Sequence, residues 1–146
     1  MDRKQIIKEK LKNGFNCAQV VAVAFSDKVN KDEKTILAAT AGFGGGIARQ
    51  AMTCGALTGA VIALGLAKGQ TEANDSVAKD LTYNSVRNLF AQFIKIHGST
   101  SCKELLGCDI STPEGLEIHK QGCNTEKCVR YIETSMEILD KMFEKE

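Results

Sequence analysis

The chain has 146 residues, 43% of them apolar and 25% charged, which suits one globular domain able to bury its own core. A net charge of +1 gives no electrostatic reason to expect nucleic acid or an anionic membrane as a partner. The lack of Trp, the low aromatic content of 5% and the single proline, Pro113, argue against a strand-rich sandwich and for helices.

The N-terminus, Met1-Asp2-Arg3-Lys4-Gln5, is charged and not an apolar secretory segment, so a cytoplasmic location is expected. Residues 2–12 read as a short helix with Ile6, Ile7 and Leu11 on one face, stopped by Asn13-Gly14. A second helix is expected from Cys17 to about Lys28. The capping pattern Asn30-Lys31-Asp32-Glu33 opens a third, to about Ala41.

Gly42-Phe43-Gly44-Gly45-Gly46 is too dense in glycine for a helix. It is no dinucleotide fingerprint, because Ile47 falls where the third glycine is needed, and it lacks the Gly-Lys-Ser/Thr of a P-loop. The backbone N–H groups of Gly44, Gly45 and Gly46 are candidates to hydrogen-bond thiolates, cluster sulfides or an anion, with Arg49 adding positive charge.

Gln50 to Ala67 carries no charge, but its Gly, Ala and Thr content and lack of aromatic anchors mark a core helix and not a membrane span. Thr53 to Lys68 is apolar nearly all round and is expected to be the central buried helix. Within it Gly55 and Gly59 form a GxxxG pair that invites close approach of another helix. From about Asn74 to Ile96, residues such as Val77, Leu81, Val86, Leu89 and Phe93 recur at helical spacing as an inward face. A short helix over 102–106 ends at Gly107. Thr112-Pro113-Glu114 starts another, which stops at Gly122. The last helix runs from about Thr125 to Phe143, with Val129, Ile132, Met136 and Leu139 facing inward. Residues 1–146 therefore read as one all-α domain: a bundle of about seven helices, with a Gly-rich turn before a central buried helix.

Six cysteines in a reducing compartment point to metal binding or redox work, not to three structural disulfides. Three of them directly follow a helix-capping residue: Asn16-Cys17, Thr53-Cys54 and Ser101-Cys102. Asn16 and Ser101 are each followed three residues on by Gln19 and Glu104, the capping-box pattern. First-turn positions favour negative charge, so these thiols are expected to ionise near neutral pH. Cys102 and Cys108 bracket the short helix. With Asn124 as a cap, Cys123 and Cys128 occupy the two positions that touch in a hydrophobic staple. CxxC, C-x-x-C-H and the spaced ferredoxin patterns are all missing. His97, before the Gly98 to Cys102 turn, is placed near the thiols, and His119 on a polar helix in solvent.

The ordered set of Cys17, then Cys54-Gly55-Ala56-Leu57-Thr58-Gly59, then Cys102 and a late cysteine resembles the C_GCAxxG_C_C family of redox-active proteins. The resemblance covers nearly the whole chain and makes Cys17, Cys54, Cys102 and Cys128 the family's four cysteines, with Cys108 and Cys123 extra. It implies a small helical protein of bacterial or archaeal type with redox activity. The haem role of the related split-Soret cytochromes is not carried over, since the haem-attachment motif is missing.

The leading expectation is an electron-transfer protein in which Cys17, Cys54, Cys102 and Cys128 ligate an iron–sulfur cluster, with Cys108 and Cys123 as possible extra ligands. That reading requires the sulfurs of Cys17, Cys54 and Cys102 to share one pocket. The alternatives are a metal-free thiol–disulfide oxidoreductase or redox sensor with Cys54 or Cys102 attacking, and a zinc-stabilised interaction module. A redox partner is expected, and the GxxxG helix leaves room for a homodimer.

Overall fold

The computed structural model describes residues 2–120 and 125–145, and they form nine α-helices with no strand among the described residues. α1 (Arg3–Lys12), α2 (Cys17–Val23), α3 (Ser26–Val29) and α4 (Glu33–Thr40) precede a single 3-10 turn, Ala41–Phe43. α5 (Gly55–Lys68), α6 (Ser76–His97), α7 (Cys102–Leu106), α8 (Pro113–Lys120) and α9 (Thr125–Glu144) complete the bundle. The order of elements matches the sequence reading. The number exceeds about seven, chiefly because the expected helix 17–28 divides at Ala24 and Phe25.

Side-chain caps explain most helix starts. Asp2 accepts from Gln5 N–H, and Asp75 accepts from Ala78 N–H. Asn16 and Gln19 form a complete capping box: the Asn16 carboxamide oxygen accepts from Gln19 N–H at 2.9 Å and Gln19 Oε1 accepts from Asn16 N–H at 3.0 Å. At the third helix the cap is Asp32, not Asn30. Asn30 sits in the left-handed region (φ 53°), where it ends α3, a conformation Asn tolerates. The Gly122 stop, the Asn124 cap and the Cys123 staple lie outside the described residues.

α5 runs through the core with Ala56, Leu57, Ala60, Ala63 and Leu64 fully buried. α2 lies against it more intimately than any other helix, and GxxxG is the reason. A Cβ on Gly59 would stand 2.4 Å from the Ala18 carbonyl oxygen, and one on Gly55 would stand 2.2 Å from the Cys17 sulfur. α9 closes the core with Ile132, Met136 and Leu139, and α1 contributes Ile7. Arg3 ties this end together: it pairs with Asp140 at 2.8 Å and lies 4.1 Å over the Phe25 ring.

The inward face expected along α6 holds only in its second half. Leu89 and Phe93 are fully buried, whereas Val77 and Leu81 are 67% and 56% exposed. Helical spacing selects a stripe but not how far the neighbouring helix extends beside it. No helix among the described residues is long and apolar enough to cross a membrane.

The two kinds of glycine in α5 give opposite expectations. Gly59→Val should lower stability by about 2–3 kcal/mol, because the facing group is Ala18 backbone, which cannot move aside. Gly65→Ala, which meets nothing within 4 Å, should raise it by about 0.5–1 kcal/mol. Urea or thermal melts of the two variants check the pair.

Candidate functional site

Four elements deliver one cysteine each. The Asn16 capping box fixes Cys17 as the first residue of α2, with its sulfur against the start of α5 where Gly55 leaves space. Cys54 and Cys102 are brought together by backbone pairing that the sequence did not advertise. Thr53 and Ser101 form an isolated antiparallel bridge, in which Cys54 N–H donates to Thr100 O at 2.8 Å and Cys102 N–H donates to Met52 O at 2.6 Å. The starts of α5 and α7 are thus stitched side by side. Cys128 arrives on the first turn of α9. That helix is anchored to α7 by Tyr131 Oη donating to Leu105 O at 2.6 Å and by Lys127 Nζ donating to Leu106 O at 3.3 Å.

The local roles differ from the expected set of three capped first-turn cysteines. Cys17 and Cys102 do follow caps, Asn16 and Ser101. Cys54 is itself the N-cap of α5, and neither it nor Thr53 makes a side-chain cap bond there. Thr53 is committed to the bridge instead.

The glycine-rich segment wraps one side of the site. Gly45 and Gly46 adopt φ of +65° and +69°, and the left-handed conformation continues through Ile47, Ala48 and Arg49 and returns at Ala51. Such residues cost about 1–2 kcal/mol each, an expense carried here by wide backbone bonds, Ala51 N–H to Gly45 O at 3.1 Å and Met52 N–H to Gly46 O at 2.9 Å. A Cβ on Gly46 would lie 2.8 Å from Cys102 Cβ, so that glycine lets the turn seat on α7. Of the three glycines named as backbone donors, Gly44 and Gly45 line the site, and Gly46 packs behind Cys102.

Cys17, Cys54, Cys102 and Cys128 all line one cavity of about 820 Å³, and all four are thiols. Its apolar wall includes Leu105, Leu106, Ile110 and Leu116, and Tyr131 also faces it. Cys108 packs in the neighbouring apolar cluster with Cys102 and Leu106, not on the cavity. Cys123 lies outside the described residues. Among those described, no three His, Cys, Asp or Glu side chains form a group that would hold a metal ion.

Burial reverses the expected acidity of these thiols. It raises Cys17, opposed by backbone N–H groups of Gly45, Ala18, Cys17 itself and Gly55 that point at the sulfur. Cys17 keeps part of its surface open to the cavity, but protein crowds it on the other sides. Cys54 is raised strongly, first by burial and then by the charge of Cys17. Cys102 is pushed up to about 11 by burial and then by Cys17 and Cys108. Cys128 is pushed up to about 12 by burial and then by Cys17, Cys102 and Cys108. Helix starts stabilise a thiolate only where the field exceeds the desolvation penalty. Here α7 has five residues and a small dipole, and desolvation wins.

The histidines exchange roles relative to expectation. His97 is absent from the cavity lining: its Nε2 bonds Thr134 Oγ1 at 2.8 Å and its ring stands edge-on to Tyr131 at 4.8 Å. His119, expected in solvent, lines the cavity beside Lys120 and across from Arg49. Its position near the end of α8 gave no sign of this, since only the fold turns that helix end towards the cysteines.

Fold and site together define an all-helical protein with a half-open cavity lined by four thiols from the starts of four helices. The family model described as "Putative redox-active protein (C_GCAxxG_C_C)" matches residues 15–142, and the chain belongs to that family of redox-active proteins. No curated protein and no solved structure matches the chain.

In reduced, metal-free protein, raised thiol pKa values mean little thiolate at pH 7, of order one in 10⁴ for a thiol at about 11. Alkylation of Cys102 and Cys128 by iodoacetamide, followed residue by residue by mass spectrometry, should therefore be slow at pH 7 and accelerate continuously to pH 10 and beyond. A rate that levels off below pH 8 would contradict the burial argument.

Proposed function

We propose that this protein carries electrons through an iron–sulfur cluster ligated by Cys17, Cys54, Cys102 and Cys128. The observation that carries the reading is that these four sulfurs, from α2, the start of α5, α7 and α9, line one cavity. Thiols whose proton affinity is raised by lost hydration, and for Cys54, Cys102 and Cys128 also by the charge of Cys17, are poorly arranged for a low-pKa nucleophile. They suit a site where a metal supplies the positive charge that ionises them outright.

When bound, such a cluster supplies reversible one-electron transfer. The chain's own residues would set its potential. N–H groups of Gly45 and Gly55 aimed at the Cys17 sulfur stabilise negative charge there, and the leucine and isoleucine wall limits water.

Protein purified without oxygen should be brown and contain iron and acid-labile sulfide. Serine at any one of Cys17, Cys54, Cys102 or Cys128 should lower both several-fold, while Cys108→Ser retains them. Colourless protein whose thiols disappear in pairs on mild oxidation would assign the site to disulfide chemistry instead, with Cys54 or Cys102 as the attacking thiol. Stoichiometric zinc, with melting on chelation, would assign it to a structural metal.

A further inference from the structure

We propose that the mouth of the cysteine cavity binds a small anion of phosphate, sulfate or carboxylate chemistry, held by Arg49, His119 and Lys120. This site is independent of what the thiols hold. The three side chains come from two unrelated elements, the left-handed turn and the C-terminal end of α8, and converge on the same cavity.

The charge balance of the lining is selective. The chain has 18 acidic residues, yet among the described residues no Asp or Glu lines the cavity, while Arg49 and Lys120 do. Among the described residues neither cation is in an ion pair. Two unmatched, exposed cations on the lining of this cavity draw anions towards it.

His119 Nδ1 supplies a second, independent observation. It is buried with no hydrogen-bond partner among the described residues. A buried polar atom without a partner carries a desolvation penalty that a bound ligand removes. Attraction to the helix dipole accounts for basic residues at the end of α8, but not for a nitrogen turned inward without a partner. Burial, and then the charge of Arg49, depress the His119 pKa, so at pH 7 the imidazole is neutral. It acts as a hydrogen-bonding group, and Arg49 and Lys120 carry the charge.

Size completes the case. A cavity of about 820 Å³ lies in the range of small-molecule sites, about 300–1,000 Å³.

The test is calorimetric titration of anaerobically purified, full-length protein with inorganic phosphate, sulfate and citrate. Ionic strength is matched with chloride, and iron is assayed alongside. At least one of the three anions should bind saturably at one per chain. Arg49→Gln and His119→Gln should each weaken it at least ten-fold. Lys120→Gln, at an exposed position, should weaken it several-fold and serves as the probe if a buried substitution unfolds the protein. No anion binding above chloride overturns the site, as does binding that persists in the Arg49→Gln/His119→Gln double variant. Variants that bind the anion normally but lose iron would assign the cations to charge compensation at the thiols, which also overturns it. Colourless protein that binds the anion sinks only the cluster reading, and brown protein that does not bind sinks only this one.

Discussion

The close approach of α2 to α5 is the constraint on which the rest of the site depends. Two missing side chains, at Gly55 and Gly59, let the Ala18 backbone settle onto α5 at a distance no Cβ would allow. The same contact lays the Cys17 sulfur over the first residue of α5, one position after Cys54. Helix packing and sulfur placement are thus one interaction. The CGAxxG stretch accordingly serves two ends, its glycines creating the contact and its cysteine facing the cavity beside it.

A second constraint follows from burying sulfur. Gathering four thiols in one hollow raises each proton affinity through lost hydration, with repulsion from Cys17 added at Cys54, Cys102 and Cys128, and only Cys17 receives substantial relief from surrounding N–H groups. Such a cavity is stable with its thiols protonated, or with a positive centre among them, and unfavourable with several bare thiolates. That electrostatic logic links the architecture to metal-based more than nucleophilic chemistry. It also gives the cationic mouth a role separate from the apolar interior.

Much of the bundle was legible because helix caps and periodicity are local. The Asn16 box, the Ser101 cap, the Gly107 stop and the boundaries of α7 all follow from residues within one turn of each other. Some departures are local: α2 ends at Val23 with Ala24 as its C-cap, and Asp32 outcompetes Asn30 as a cap. Others are remote: Thr53 is taken by a bridge with a residue 48 positions away. That bridge, the left-handed run after Gly44 and the exposed first half of α6 depend on neighbours remote in sequence, and no window along the chain contains them.

What the sequence determined by itself was the helical class, the GxxxG contact surface and the order of Cys17, Cys54 and Cys102 along the chain, because propensity, capping and residue order are properties of the chain. Only the tertiary structure decided that those cysteines share one cavity, that burial raises their pKa values and that His119 faces them while His97 does not. Distance, desolvation and charge are functions of position in space. A capped cysteine carries the electrostatics of its own helix end in its sequence, but its acidity belongs to the cavity into which the fold delivers it.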